Sequence, residues 1–387
     1  ARFSTTILIT SSQMGLSITG IGTAVPGDSI SQQDSLEIAQ RLVGDDPEQR
    51  EMLKKLYPNT RIAQRYSVVD SKLVSAVLGN GPVALQVVKK LCADGGPSTV
   101  ARLQVAEDAA GALAEEAAKQ ALREAGCDPQ EVTHLITASS TVGTAPGFDA
   151  ELIRRLGLPE TVARTNIGMM MCQAALSGLR VANSFATADP SAVILMCVLE
   201  ICSAHYDLDP QPKKLVSNAI FADGAAALVG TGSPADDWQV DRSGGCLLGK
   251  TSGSLRVAFG DHGLDIRLTT KVPRIIEQHL RSLIDSWLGE SGLDTTQIKS
   301  WAVHPGGPRI LEATARALQL SDHDLAASWS ILEQFGNMSS PTVLFILDKL
   351  RRENAPLPCV AIAFGPGMTV ELTLLQPAGS KELSKAG

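Results

Sequence analysis

Three residues that together could make an acyl-transfer centre are spread along this 387-residue chain: Cys172 in "IGMMMCQAAL", His304 in "WAVHPGGPRI" and Asn337 in "FGNMSSPTVLFIL". Each has a plain structural reading when taken alone. Free cysteine is among the most buried residue types, a histidine before Pro-Gly-Gly can serve a turn, and an asparagine before an apolar run can cap a helix. Together they allow more. A cysteine at a helix start has its thiolate favoured by the dipole and the free amides. An imidazole can take its proton and form an ion pair with it. A side-chain amide can donate to an oxyanion without changing the charge. The set suits acyl transfer through a covalent thioester and would equally suit a cysteine protease, so chemistry alone leaves the substrate open. The run Met169-Met170-Met171 reads as packing, because methionine fills irregular gaps.

The elements that must carry these residues occur twice. A helix over 172–186 runs into an apolar strand, "AVILMCVLE" (192–200), and a helix over 338–352 runs into "CVAIAFGPG" (359–367). Cys172 precedes Val193 by 21 positions and Asn337 precedes Cys359 by 22. A further strand follows each, at 224–230 and 368–375, and "VTHLITASS" (132–140) matches "IKSWAVHPGG" (298–307) upstream. A duplication of α/β units accounts for all of this. Apolar strands alternating with helices imply sheets covered on their faces. Strand ends and helix starts of such units meet in one crevice, which brings Cys172, His304 and Asn337 to a common cavity. Elsewhere, residues 17–26 read as a strand and 31–42 as a helix capped by Ser31. Segment 83–126 is helical with a break at 93–99 and Gly126 as its stop. Residues 146–158 form a short helix. The Gly-rich stretch 231–254 marks a boundary or an elaborated hairpin, dividing the chain into 1–235 and 236–387, with a disordered tail from about 377.

Composition narrows the function. A net charge of -7 gives no general basic surface for phosphate neutralisation, so nucleic acid is not an expected partner. The longest apolar runs fall short of the roughly 20 residues that span a bilayer. The first 20 residues lack a solid apolar segment for a signal peptide. Seven cysteines (92, 127, 172, 197, 202, 246, 359), odd in number and scattered, read as reduced thiols in a cytoplasmic protein with no metal spacing. The local basic spot "EMLKKLYPNTRIAQRY" (51–66) is either an ordinary solvated helix face or a site for a phosphorylated small molecule.

The ordered set "IGMMMCQAAL" (167–176), "NAIFADGAAALVG" (218–230), "WAVHPGGPRILE" (301–312), "GNMSSPTVLFILDKL" (336–350) and "AFGPGMTVE" (363–371) resembles type III polyketide synthases, the chalcone synthase-like enzymes. The resemblance runs from about 17 to 376. It implies a duplicated αβαβα five-layer thiolase-type fold, a homodimer, and no cofactor beyond CoA thioesters as substrates. It implies an enzyme that loads an acyl-CoA starter on Cys172, decarboxylates malonyl-CoA, extends the chain and cyclises it to a pyrone, resorcinol or related polyphenol. His304 and Asn337 would hold the malonyl thioester carbonyl and stabilise the enolate, and His304 would also maintain the Cys172 thiolate. Neutral donors suit that task, since a carboxylate there would oppose the charge.

The same resemblance assigns a cavity and gate to Tyr206, Ile266, Ala145, Ser140, Phe364, Gly365, Pro366, Gly367, Met171 and Gln173, and CoA contacts to Lys55, Lys54, Asn59 and Arg61. Several positions depart from the family pattern. Met171 stands where a glycine is common, Gln173 where phenylalanine or a small residue is, and Ile266 where a gating phenylalanine is. Ala145 replaces a methionine that reaches into the partner's cavity, Asn59 replaces a basic residue, and Ala363 the first glycine of its loop. Together they imply more room, for an aliphatic starter. Two alternatives stay open: a ketoacyl synthase III-like enzyme condensing once with an acyl carrier protein, and a non-catalytic binding protein on the same fold.

Overall fold

A computed structural model describes residues 15–378, apart from 28, 70, 80, 93–96, 207–211, 234–237, 250, 252 and 262. The expected disordered tail lies outside the described residues from 379 on, and the first segment lies outside them through residue 14.

Thirteen strands are described: β1 Ser17–Ala24, β2 Ser29–Ser31, β3 Gln64–Tyr66, β4 His134–Ser139, β5 Ala163–Gly168, β6 Val193–Ile201, β7 Asp223–Thr231, β8 Trp238–Leu247, β9 Leu255–Gly260, β10 Gly263–Leu268, β11 Ser300–Val303, β12 Cys359–Gly365 and β13 Thr369–Pro377. Nine of them run in the order β11-β12-β13-β8-β1-β7-β6-β4-β5. The order is two copies of one pattern joined back to back. In the first half β1-β7-β6-β4 pair in turn, and in the second β8-β13-β12-β11 do so, with β5 added only to the first. The halves meet where Ser17 of β1 opposes Gln239 of β8. The stretch 231–254, read as a boundary or an elaborated hairpin, follows β7 and contains β8, nine residues of which pair along β13 around a bulge at Asp241.

Alternation along the strands sorts the side chains into three cores. Leu195, Cys197 and Leu199 of β6 face the outer helix Thr99–Ala125, while Ile194, Met196 and Val198 face inward. In the second half Val360, Ile362 and Phe364 face the outer helices Val272–Gly289 and Pro308–Leu318, and Cys359, Ala361 and Ala363 face inward. Between the inner faces lie the helices Ala174–Ala188 and Pro341–Arg352, both in the central cluster. Helix, sheet, paired helices, sheet, helix: the five-layer αβαβα duplication expected from the sequence is the observed fold.

The helix ends follow the expected local chemistry. The Ser31 side chain accepts the Asp34 amide at the start of the helix Gln32–Leu42. Gly126 closes the helix Thr99–Ala125 in the left-handed conformation. That helix sits unusually near β1, because its inner stripe is alanine (Ala110, Ala114, Ala117, Ala121) and β1 offers Gly20 and Gly22. A Cβ on Gly22 would stand 2.1 Å from the Ala117 carbonyl oxygen, which is backbone and cannot yield.

The close approach predicts that Gly22→Ala destabilises the protein by about 1–3 kcal/mol or more, as overpacking does. Gly249→Ala, where an added Cβ meets nothing within 4 Å, should leave the melting temperature unchanged. Thermal denaturation of the two variants checks it; equal melting temperatures would count against the tight contact.

Candidate active site

Cys172 lies in a single 3-10 turn, Met171–Gln173, that leads into the inner helix Ala174–Ala188. The turn is built with strain. Met169 and Met171 both adopt left-handed backbone, with φ of 56° and 55°, a conformation that costs a non-glycine residue on the order of 1–3 kcal/mol. Two contacts hold it. The Met171 amide donates to Ser140 Oγ at 2.9 Å, and Gln173 Oε1 accepts from Thr369 Oγ1 beside Gly365. A Cβ on Gly365 would meet the Gln173 side chain at 2.5 Å and push it from this bond. The methionine run thus divides: Met171 is buried, Met170 packs on the central core, and Met169 is 42% exposed.

Asn337 occupies the corresponding position in the other half, ahead of the helix Pro341–Arg352. It does not cap that helix. Its Oδ1 accepts the Ser339 amide at 2.8 Å, and the Met338 amide donates instead to Thr342 Oγ1. With the oxygen so committed, the amide nitrogen is the end left to donate, and Asn337 and Ser339 both lie near enough to Cys172 to favour its thiolate. Ser339 itself has φ of 58°. The Asn337 backbone is fixed across the strand-like bridge to Phe221, through Asn337 N to Ile220 O at 3.0 Å and Ala222 N to Asn337 O at 2.9 Å.

His304 follows β11 and is 1% exposed. Its amide donates to Ile362 O of β12 at 2.8 Å, and the turn carrying Cys172 packs on the same strand. Neither ring nitrogen has a hydrogen-bond partner among the described residues. Two unpaired ring nitrogens on a buried imidazole are costly unless something else uses them.

Dehydration decides the charge state. Burial pushes the Cys172 thiol up to about 11, opposed by Ser339 and Asn337 and reinforced by the nearby Glu200. Burial also pulls His304 down to about 3. Both shifts run against the standing thiolate–imidazolium pair expected from the sequence and favour the uncharged forms. The short 3-10 turn and its amides do not outweigh the loss of water.

Glu200 was not anticipated from the sequence. It ends the inward series Ile194, Met196, Val198 of β6, so strand parity aims a carboxylate into the central layer, fully buried. Oε2 accepts the Ser140 amide at 3.0 Å and Thr141 Oγ1 at 2.7 Å, and Oε1 accepts Ser340 Oγ at 3.0 Å. Burial raises its carboxyl above the ordinary range, against those three bonds. Through Ser140 and Ser340 it ties the loop after β4 to both helix starts. The signal in the sequence was a single acidic residue closing an otherwise apolar strand, "AVILMCVLE".

The expected cavity residues do not all gather. Phe364 packs into the outer core of the second half, because strand alternation turns it away from the inner layer. Tyr206 is not a free aromatic at an entrance. Its hydroxyl donates to Phe221 O at 2.7 Å and accepts from Arg65 at 3.2 Å. Its ring lines a separate cavity of about 550 Å³, walled by residues such as Leu42, Val74, Val77 and Val105, to which Cys172, His304 and Asn337 do not contribute. Phe221, one hydrogen bond nearer, is the aromatic residue that borders Asn337. Ile266 sits half-buried on β10 in the separate hairpin β9–β10. Gly367 donates its amide to Leu255 O at the base of that hairpin, and Pro366 O accepts from Thr369. Ala145 is exposed and does not line its own chain's site.

The basic residues follow one another along the segment from Lys54 to Arg65. Lys54 and Lys55 end the helix Pro47–Leu56 and are exposed, with Lys55 3.4 Å from Glu51. Asn59 donates to Lys55 O at 2.8 Å. Arg61 lies over the Trp329 ring at 4.4 Å and 3.9 Å from Glu312. The segment then passes Ala63, whose amide donates to Glu333 O, and reaches Arg65 against Gly336, one residue from Asn337.

Comparison with known proteins resolves what the geometry leaves open. The profile of chalcone and stilbene synthases, N-terminal domain, matches residues 9–234, and that of the C-terminal domain matches 239–378. The chain belongs to the chalcone and stilbene synthase family. It is 30% identical over 365 residues to alpha-pyrone synthesis polyketide synthase-like Pks18 of Mycobacterium tuberculosis, covering 92% of this chain and 89% of that one. It is 31% identical over 379 residues to bisdemethoxycurcumin synthase of Oryza sativa subsp. japonica, covering 92% and 91%. The crystal structure of PKS-I from the brown alga Ectocarpus siliculosus superposes with a TM-score of 0.82 at 29% identity, covering 95% of this chain and all of that one. This synthase is thus a condensing enzyme of the type III polyketide class, acting on CoA thioesters.

The raised thiol predicts slow alkylation of Cys172 in the substrate-free synthase. Below a pKa of about 11 the thiolate fraction, and with it the rate, grows roughly tenfold per pH unit. Iodoacetamide labelling followed by peptide mapping should show Cys172 still accelerating from pH 7 to 10. A plateau below pH 8 would mean a standing thiolate.

Proposed function

We propose that the enzyme loads an acyl-CoA starter on Cys172, decarboxylates malonyl-CoA beside it, and extends the bound chain before ring closure to a pyrone, resorcinol or related polyphenol. The observation that carries this reading is the convergence of the two inner helix starts, one giving the thiol and the other a side-chain amide near it. The starter carbonyl, once bonded to sulfur, leaves CoA thiolate to depart. Asn337 Oδ1 is already taken by the Ser339 amide, so its Nδ2 is the end that would donate to the reacting carbonyl.

His304 supplies what the resting thiol lacks. A dry site resists separate charges, but a thiolate and an imidazolium formed together attract each other by about 4 kcal/mol at 4 Å and an effective dielectric of 20. Proton transfer to His304 is therefore best coupled to attack on the thioester. In the second half-reaction malonyl-CoA loses CO2 and its electron pair passes to the thioester oxygen as an enolate. Neutral His304 and Asn337 are donors suited to it. For His304 this requires the proton on one ring nitrogen only, which its depressed pKa ensures. The enolate carbon then attacks the Cys172 thioester, the bond to sulfur breaks, and the chain leaves two carbons longer as a CoA thioester; the Cys172 thiolate so released takes a proton from solvent or attacks that thioester to reload the chain for another round.

Lys54, Lys55 and Arg61 would bind CoA phosphates along the segment leading to Asn337, with Asn59 shaping its bend. A second copy of the chain would pair at β5, whose outer edge has no strand partner among the described residues. The exposed Ala145 would then face that copy.

Incubation with malonyl-CoA and short, medium and long acyl-CoAs should release CO2 and give pyrones or resorcinols; no release with any starter would refute the reading. Malonyl on a carrier protein, offered in parallel, separates it from single condensation of the ketoacyl synthase III kind. Cys172→Ala should show no acyl adduct by intact mass, and Asn337→Ala should lower CO2 release by roughly 10²–10³-fold.

A further inference from the structure

The hairpin β9–β10 stands apart from the nine-stranded sheet, pairing only with itself from Gly263↔Gly260 to Leu268↔Leu255. It carries Ile266, and its fixed points are few. Its base is held by Gly367 N to Leu255 O at 3.0 Å and by Thr269 N to Ser254 O at 2.9 Å. At its turn, Thr99 Oγ1 donates to Asp261 O at 2.7 Å. Between them, where the helix Pro212–Ile220 also packs on β10, one side chain among the described residues hydrogen-bonds the strand backbone. His205 Nδ1 accepts the Leu264 amide at 3.2 Å, and its Nε2 lies 2.8 Å from Thr141 O.

Those two partners determine the ring. A backbone amide can only donate and a carbonyl can only accept, so His205 is the neutral tautomer with its proton on Nε2. Burial and the neighbouring Arg102 both lower its pKa, which keeps it in that form. The fit is close on the strand side as well. Gly263 has φ of 110°, and a Cβ there would lie 2.9 Å from Nδ1. On the other side Thr141 is the residue whose hydroxyl bonds Glu200 and accepts the Ile201 amide. The imidazole therefore spans from the Glu200 network, which frames Cys172, to the backbone of β10.

We propose that His205 is a positioning residue that latches the β9–β10 hairpin, and with it Ile266, onto the Thr141–Glu200 network beside Cys172. Leu264 and Ile266 share one face of β10, two residues apart. Pinning the Leu264 backbone fixes the depth of the Ile266 side chain, whereas releasing it lets the wall shift between its base and its turn. The effect on starter choice rests on the proposed condensing reaction; the backbone latch does not.

Two variants split the two bonds. Asparagine carries an acceptor at the place of Nδ1, and glutamine carries a donor at the reach of Nε2. His205→Asn should keep the bond to Leu264, and His205→Gln should keep only the one to Thr141. Hydrogen–deuterium exchange of the whole protein should show the Leu264 amide exchanging at least tenfold faster in His205→Gln and within about twofold of wild type in His205→Asn. The ratio of kcat/KM for dodecanoyl-CoA over hexanoyl-CoA should change threefold or more in the glutamine variant and stay put in the asparagine variant. Equal exchange in the two variants, whether both slow or both fast, overturns the latch. Separated exchange with an unchanged ratio overturns the role in starter choice. Wild type that condenses neither starter refutes the condensing reading instead, and exchange still decides the latch.

Discussion

Everything at the site depends on two helices being packed between two sheets. The helices Ala174–Ala188 and Pro341–Arg352 share one core with the inner faces of both half-sheets. Neither can rotate or slide without opening a void that close packing penalises. Because the halves repeat the same strand order, the two helices begin at equivalent places, and the residues just before them meet. Cys172 and Asn337 come from opposite halves, yet no long loop or flexible arm is needed to join them. The inner stripes are small and aliphatic, Ala174, Ala175, Leu179 and Ala182 on one helix and Val343, Leu344 and Leu347 on the other, which lets both fit within one layer.

The same packing dries the site, and dryness has two opposed effects. It raises the thiol and lowers the imidazole, so the resting enzyme holds no strong nucleophile. It also makes any charge that develops during reaction interact more strongly with the few donors present. Glu200 shows the cost of this environment. A fully buried carboxylate is tolerated only because Ser140, Thr141 and Ser340 satisfy it, and in return it joins the loop after β4 to the second helix start. Its negative field further disfavours a thiolate at Cys172.

Much of this was legible in the sequence, for identifiable reasons. The duplication showed because strands and helices repeat at the same spacing, and spacing survives where side chains differ. The trio showed because Cys172, His304 and Asn337 fall at element boundaries, which the apolar runs mark. What failed to show depended on side-chain direction or on the third dimension. Phe364 looked like a cavity residue from its neighbour Gly365, but strand parity sends the two to opposite faces. Tyr206 looked like a gate, but its hydroxyl is spent on the Phe221 carbonyl. Left-handed backbone at Met169 and Met171 leaves no trace in residue type, since methionine is not a turn former. The strand β8 was hidden because Gly244 and Gly245 read as a break; a Cβ on either would collide with Trp287 or Glu371, so here glycine admits neighbours rather than ending a strand.

One part of the site has no counterpart in the other half. The hairpin β9–β10 belongs to neither repeated sheet and contributes nothing to the central core, so it is the element whose sequence can vary with least cost to stability. Phe259, 77% exposed at its tip, has no packing duty in the chain. The chemistry, by contrast, sits on helix starts that the whole fold holds rigid. An architecture so divided separates the rigid helix starts from an element that can change without disturbing them. Substitutions at Ile266 and at the edge of β10 act on a wall hung from a few hydrogen bonds, whereas substitutions at Met171 or Ser339 act on strained backbone locked into the core.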